Sequence, residues 1–121
     1  MVIHDNLSDF ILFLYVHMSN ADSTYDPVEM DVIKLKMALL FPQGTDMEKK
    51  LYQAIREYNG LDKTKMTDIL KDSFAKFGDQ FPSKSELYND LQEIMLADGV
   101  EQSEEQDALE LLKYMINHAK S

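Results

Sequence analysis

A chain of 121 residues, 45% of them hydrophobic, is the size of one domain and can bury a sizeable core. The absence of cysteine excludes disulfide staples, thiolate metal sites and thiol nucleophiles, so any chemistry must come from oxygen and imidazole. A formal net charge of −10 disfavours a nucleic-acid partner, whose affinity would rest on Lys and Arg releasing counterions from phosphates.

Apolar residues recur with helical spacing along nearly the whole chain, and no strand alternation or Asn-Gly hairpin interrupts them. The pattern predicts an all-α single domain over residues 1–121, a bundle of about six helices. The first is expected from Leu7 to Ala21, with Phe10, Ile11, Leu14, Tyr15 and Met18 on its inner face. It holds the longest apolar run, FILFLYV at residues 10–16, far short of the ~20 residues that span a bilayer. No basic stretch precedes it as in a secretory signal, so a cytoplasmic protein without membrane insertion is the expectation.

The second helix is expected to begin at Pro27, with Asp26 as N-cap, Glu29 closing a capping box, and Val32, Ile33, Met37 and Leu40 as its apolar stripe. Three further starts share that grammar, a hydroxyl followed three residues on by Glu or Gln: Thr45 with Glu48, Ser83 with Glu86, and Ser103 with Gln106. The third helix, near 46–59, is expected to stop at Gly60 and the fourth, near 64–77, at Gly78, each glycine placed for a left-handed C-cap. No linker or low-complexity segment divides the six.

Charge is distributed unevenly along these elements. Residues 1–33 carry six acids and no Lys or Arg, residues 34–84 seven acids against ten bases, and residues 85–121 nine acids against two bases. Two acidic stretches, NADSTYDPVEMD at 20–31 and LADGVEQSEEQD at 96–107, account for much of this, and they share a plan. An offset of 76 residues superposes Ala21-Asp22 on Ala97-Asp98, Glu29 on Glu105 and Asp31 on Asp107 without a gap. The apolar pattern follows, Met18 falling on Ile94, Val32 on Ala108, Ile33 on Leu109 and Leu35 on Leu111. Two related helix-loop-helix hairpins, separated in sequence by a middle helix pair, are therefore expected.

Asp22 and Asp98 continue the inner lines of the helices they end, and Glu29 and Glu105 lie one turn before the inner residues of the helices they start. A carboxylate there loses hydration and needs a helix N-terminus, a base or a cation to stay charged. Capping accounts for Asp26 and Glu29, and acids are ordinary in a first helical turn, so a purely structural turn explains the stretches as well as a cation site does. An EF-hand is excluded: in the first stretch Tyr25 stands where the turn glycine belongs and Asp31 where the bidentate glutamate belongs.

The phrase IMLADGVEQSEEQDALELLKYM and, more faintly, LYVHMSNADSTYDPVEMDVIKL resemble the tellurite-resistance TerB-like family, whose signature is an Ala-Asp-Gly turn followed by an acidic helix start. The resemblance implies a helical module whose acids, gathered from two related hairpins, hold a metal ion, acting in stress responses and in membrane-linked complexes. By that likeness the ligands are Asp22 and Glu29 of the first hairpin with Asp98 and Glu105 of the second, and the ion is calcium, magnesium or manganese, the cations that oxygen donors suit. Ser23 replaces the signature glycine in the first loop. Protein partners, and a place at the inner face of the membrane beside such a complex, belong to the same implication.

Elsewhere the sequence offers little chemistry. His4, His17 and His118 are too scattered for a zinc site, Ser73 of LKDSFAKF lies within an amphipathic helix, and no phosphate loop, GxSxG or HExxH occurs. Met18, Met37, Met95 and Met115 fall at core-facing positions. A non-enzymatic module is expected, either binding a divalent cation or, as a metal-independent interaction domain, docking basic partners on its acidic ends; nothing stands beside the carboxylates to make a hydrolase.

Overall fold

The computed structural model describes residues 2–19, 27–81, 83–97 and 103–118, the side chains of 103–105 and 118 excepted. It contains six helices: α1 Leu7–Ser19, α2 Pro27–Met37, α3 Met47–Asn59, α4 Met66–Phe77, α5 Lys84–Leu96 and α6 Ser103–His118. Short 3₁₀ turns at Lys63–Lys65 and Gly78–Gln80 open and close α4, and no strand occurs among the described residues.

The apolar run of α1 decides the architecture. A helix with one inner face was expected, but every residue from Phe10 to Val16 is buried, as are Met18 and Ser19. A helix apolar on all sides has nowhere to stand except the middle. It packs on α2, α3, α5 and α6, and Phe10, fully buried, stacks against Phe77 and meets Phe74 of α4 edge to ring. The other helices are amphipathic around it, and Met18, Met37, Met95 and Met115 are all buried.

Contacts along the helices fix their directions. Asp9 and His17 of α1 meet Lys50 and Tyr58 of α3, so these two run parallel. Phe10 faces Phe81 just before α5, and Tyr15 reaches Asp90 within it, so α1 and α5 are parallel too. Ser8 at the start of α1 donates to the carbonyl of Leu40 just beyond α2, which therefore runs back. Lys113 of α6 lies over the ring of Tyr88 of α5, and Asn117 faces Lys84 across a shallow groove, so α6 is antiparallel to α5. The chain alternates up and down, and one end of the bundle gathers the C-termini of α1, α3 and α5 with the N-termini of α2, α4 and α6.

The expected end of α1 at Ala21 lies outside the described residues; the helix boundaries that fall within them agree with the sequence signals, but two of their causes do not. Ser83 caps α5 as expected, accepting from the Glu86 N–H at 3.2 Å. At α3 the cap is Asp46, which accepts from Lys49 N–H at 3.0 Å, because the hydroxyl of Thr45 is already donated to the Pro42 carbonyl at 2.6 Å. The caps expected at Asp26 and Ser103 lie outside the described residues and side chains. Gly60 and Gly78 do follow their helices, but with φ of −84° and −54° both stay right-handed. Among the described glycines the positive φ, +94°, belongs to Gly44 in the turn before α3. An unpredicted cap opens α1, where Asn6 Oδ1 accepts from Asp9 N–H at 2.9 Å and Asn6 Nδ2 donates to the Asp9 carboxylate at 3.1 Å.

Candidate functional site

Of the four expected ligands, Glu29 has a described side chain; Asp22 and Asp98 lie outside the described residues, and Glu105 lies in α6 with its side chain outside the description. Glu29 sits in the first turn of α2 and is 1% exposed. It extends the line of Ile33 and Met37, both fully buried, so a carboxylate occupies the first place of the core-facing stripe. That is the inner position its spacing predicted. Among the described residues no three acids or imidazoles converge on one point.

The topology bears on the other three. Because α1 and α5 are parallel and α2 and α6 return alongside them, the ends of α1 and α5 and the starts of α2 and α6 lie at the same end of the bundle. Lys63 and Lys65, both exposed, lie in the turn joining α3 to α4 at that end. Burial agrees at the apolar pairs that suggested the 76-residue offset: Met18 and Ile94 are buried, Val32 and Ala108 partly so, Ile33 and Leu109 buried, and Leu35 and Leu111 exposed. It fails at many others, among them Phe10, buried, against Glu86, exposed; Phe13, buried, against Asn89, exposed; Met37, buried, against Lys113, exposed; and Leu39, exposed, against Met115, buried, so burial does not bear out the repeat.

Below that end, three helices meet in a polar cluster that sequence reading missed. The Lys36 ammonium of α2 donates to Asp90 at 2.9 Å and to Glu93 at 2.6 Å, both on α5, and the Tyr15 hydroxyl of α1 donates to the other Asp90 oxygen at 3.3 Å. Burial alone would lower the Lys36 pKa, but the hydrogen bonds to Glu93 and Asp90 outweigh it and hold the pKa above its ordinary value. Burial, and after it the negative charge of Asp90, push the Tyr15 phenol above the usual tyrosine range. This cluster keeps its charges fixed and paired, which suits it to orienting the three helices.

The histidines are not brought together. His17 shares a 2.8 Å hydrogen bond with the Tyr58 hydroxyl. Its imidazole is pulled down to about 4 by burial and then by the charge of Lys63, whose ammonium stands 4.0 Å over the Tyr58 ring. His4 Nε2 meets Glu57, in the last turn of α3, at 3.0 Å. A groove of about 290 Å³ runs between the start of α1 and α3; within it His4 contacts Glu57, and Asp9 pairs with Lys50 at 3.1 Å. The partners lie 41 to 53 residues apart in sequence, so no local motif announces them. Ser73 is fully buried in α4. No described helix is long and apolar enough to cross a membrane.

No protein-family model, curated protein or solved structure matches the chain.

Proposed function

We propose that this chain is a non-enzymatic, TerB-like helical module that holds a hard divalent cation, calcium, magnesium or manganese, between its two hairpins. Asp22 and Glu29 would serve from the first hairpin and Asp98 and Glu105 from the second. The observation that carries it is Glu29: a carboxylate 1% exposed, in the first turn of α2, at the end of the bundle where α1 and α5 end and α2 and α6 begin. A helix N-terminus stabilises such a charge by about 0.3–1 kcal/mol, and a cation shared with other carboxylates would stabilise it further. Oxygen donors without cysteine or paired histidines would select a hard ion. By the family likeness, such a module would serve stress response and tellurite resistance through protein partners in the cytoplasm or at the inner face of the membrane.

Thermal melts at matched ionic strength test this. Wild type should gain roughly 2.7 kcal/mol with an ion at a hundredfold excess over its dissociation constant. Asp98→Asn and Glu29→Gln should lose most of that gain while remaining, without metal, as stable as wild type or more so, because each deletes a repelling charge and keeps the shape. A midpoint that does not move with any of the three ions, relative to chelator, would refute the site.

A second function is favoured by a different observation. Leu35 is 75% and Leu39 90% exposed, and with exposed Ala38 and Pro42 they form an apolar strip at the outer end of α2. Apolar surface of this kind marks interaction faces. In a metal-independent interaction domain this strip would take a partner's apolar face, while the acidic end at the other end of α2, partly neutralised by Lys63 and Lys65, would dock basic partners. Unaltered melting with metal, together with loss of partner capture in Leu35→Glu, is the outcome that favours it.

A further inference from the structure

We propose that the groove walled by the segment before α1, by α1 and by α3 binds a small organic amine, its ammonium held by Asp5 and Glu57 and its apolar body lying on Leu12, Phe13 and Ala54. Asp9 of α1 and Lys50 of α3 are joined at 3.1 Å near the starts of these two parallel helices. The segment before α1 turns back beside it, since the His4 and Phe13 rings lie 4.9 Å apart and His4 reaches Glu57, about two turns along α3 from Lys50. Lys76 of α4 secures that segment by donating to the His4 carbonyl at 3.3 Å. The space between the walls, about 290 Å³, stands at the lower edge of the roughly 300–1,000 Å³ of ligand pockets, which suits a small molecule.

The charges of the lining select a cation. It carries three carboxylates, Asp5, Asp9 and Glu57, against the one ammonium of Lys50, and so is net negative in either form of His4. Asp9 is already spent, one oxygen on Lys50 and the other on the Asn6 amide at 3.1 Å. Asp5 pairs with no described residue, and Glu57 uses one oxygen, on His4. The His4 side chain, 7% exposed, adds another unspent group to the wall: Nε2 faces a carboxylate that can only accept, so in the neutral ring Nδ1 is left as an acceptor, and it has no partner. An ammonium brings three N–H donors to such acceptors, and charge-assisted bonds are the strong ones. A metal ion is served less well, because no three acids or imidazoles converge among the described residues, and the buried Leu12 and Phe13 make the floor apolar. Lys50 separates an amine from an amino acid. Its ammonium is held by Asp9 and stands 4.6 Å over the Phe41 ring, so a ligand carboxylate would have to displace these contacts.

NMR titration of the whole chain with 2-phenylethylamine, at constant pH and ionic strength, tests this. Amide shifts should saturate and map to residues 3–13 and 50–57. Phenylalanine, which adds a carboxylate, and 2-phenylethanol, which lacks the charge, should each bind at least about tenfold more weakly. Glu57 is half-exposed, so Glu57→Gln, which keeps an acceptor for His4, should weaken the amine only about three- to fivefold, and Asp5→Asn by a similar factor. Lys50→Gln should bind it as tightly as wild type or more so, because the cation of the lining is gone. Unmoved amide shifts elsewhere show that each variant keeps the fold. The proposal is overturned if the amine gives no saturable shifts, if 2-phenylethanol binds as well as the amine, or if both Asp5→Asn and Glu57→Gln bind as wild type does. Phenylalanine binding as tightly as the amine, and lost in Lys50→Gln, would overturn it in favour of a zwitterion site.

Discussion

The His17 imidazole and the Tyr58 hydroxyl, 2.8 Å apart, join the last turns of two parallel helices, and burial keeps the imidazole neutral down to about pH 4. In the unfolded chain the same ring titrates near 6.5. Its folded pKa is depressed, so its contribution is complete above pH 6.5 and is lost as pH falls from 6.5 toward 4, where the unfolded chain takes up the proton first. The loss should approach about 3 kcal/mol at the bottom of that window. Urea titrations across it should show the slope in wild type and a flattened one in His17→Phe. An equal slope in both would place the acid sensitivity elsewhere.

Lys36 holds Glu93 at 2.6 Å and Asp90 at 2.9 Å, and distance alone ranks Glu93 first. Exposure reverses the order: the Glu93 side chain is 64% exposed and that of Asp90 36%, so water screens the shorter contact more. Double-mutant cycles with Lys36→Met should give a coupling of about 1–3 kcal/mol with Asp90→Asn and under about 1 kcal/mol with Glu93→Gln. A larger coupling to Glu93 would overturn this ranking.

The cap of α3 is tested by neighbouring alanines. Asp46→Ala should cost about 1 kcal/mol, since Asp46 satisfies the Lys49 N–H, and Thr45→Ala less than half of that. Equal losses would show that the two oxygens exchange the cap in solution.

Gly44 and Gly60 should respond oppositely to alanine. At Gly44 the left-handed φ of +94° is strained for any side chain, and Gly44→Ala should destabilise by about 1 kcal/mol. At Gly60 the backbone is right-handed and an added Cβ meets only carbonyl oxygens at 3.5 and 3.6 Å. Gly60→Ala should therefore be neutral or gain about 0.4–1 kcal/mol by restricting the unfolded chain. Denaturant midpoints decide, and a loss at Gly60 would contradict its right-handed geometry.

What the sequence disclosed followed the range of the interaction involved. Helix starts and stops depend on residues a few positions apart, so Ser83 and the stops near Gly60 and Gly78 could be read directly. The α3 cap was displaced by one residue because Thr45 and Asp46 are both acceptors, and only the turn geometry that spends the Thr45 hydroxyl on Pro42 chooses between them. The inner place of Glu29 was legible from its spacing to Ile33 and Met37. The pairing of Lys36 with Asp90 was not, since 54 residues and a fold direction separate them. The FILFLYV run already signalled a helix buried on every side, although one inner face was expected of it.

Every helix that covers α1 follows it in the chain, and the contact from Tyr15 to Asp90 spans 75 residues. At a synthesis rate of about 5–20 residues per second, roughly 4 to 15 seconds separate the appearance of the apolar run from that of α5. During that interval FILFLYV has no native surface to lie against, which makes it a natural chaperone client on the ribosome and a point of aggregation if production outpaces capture. A circular permutant that moves residues 2–19 behind α6 would deliver this helix into an assembled cradle.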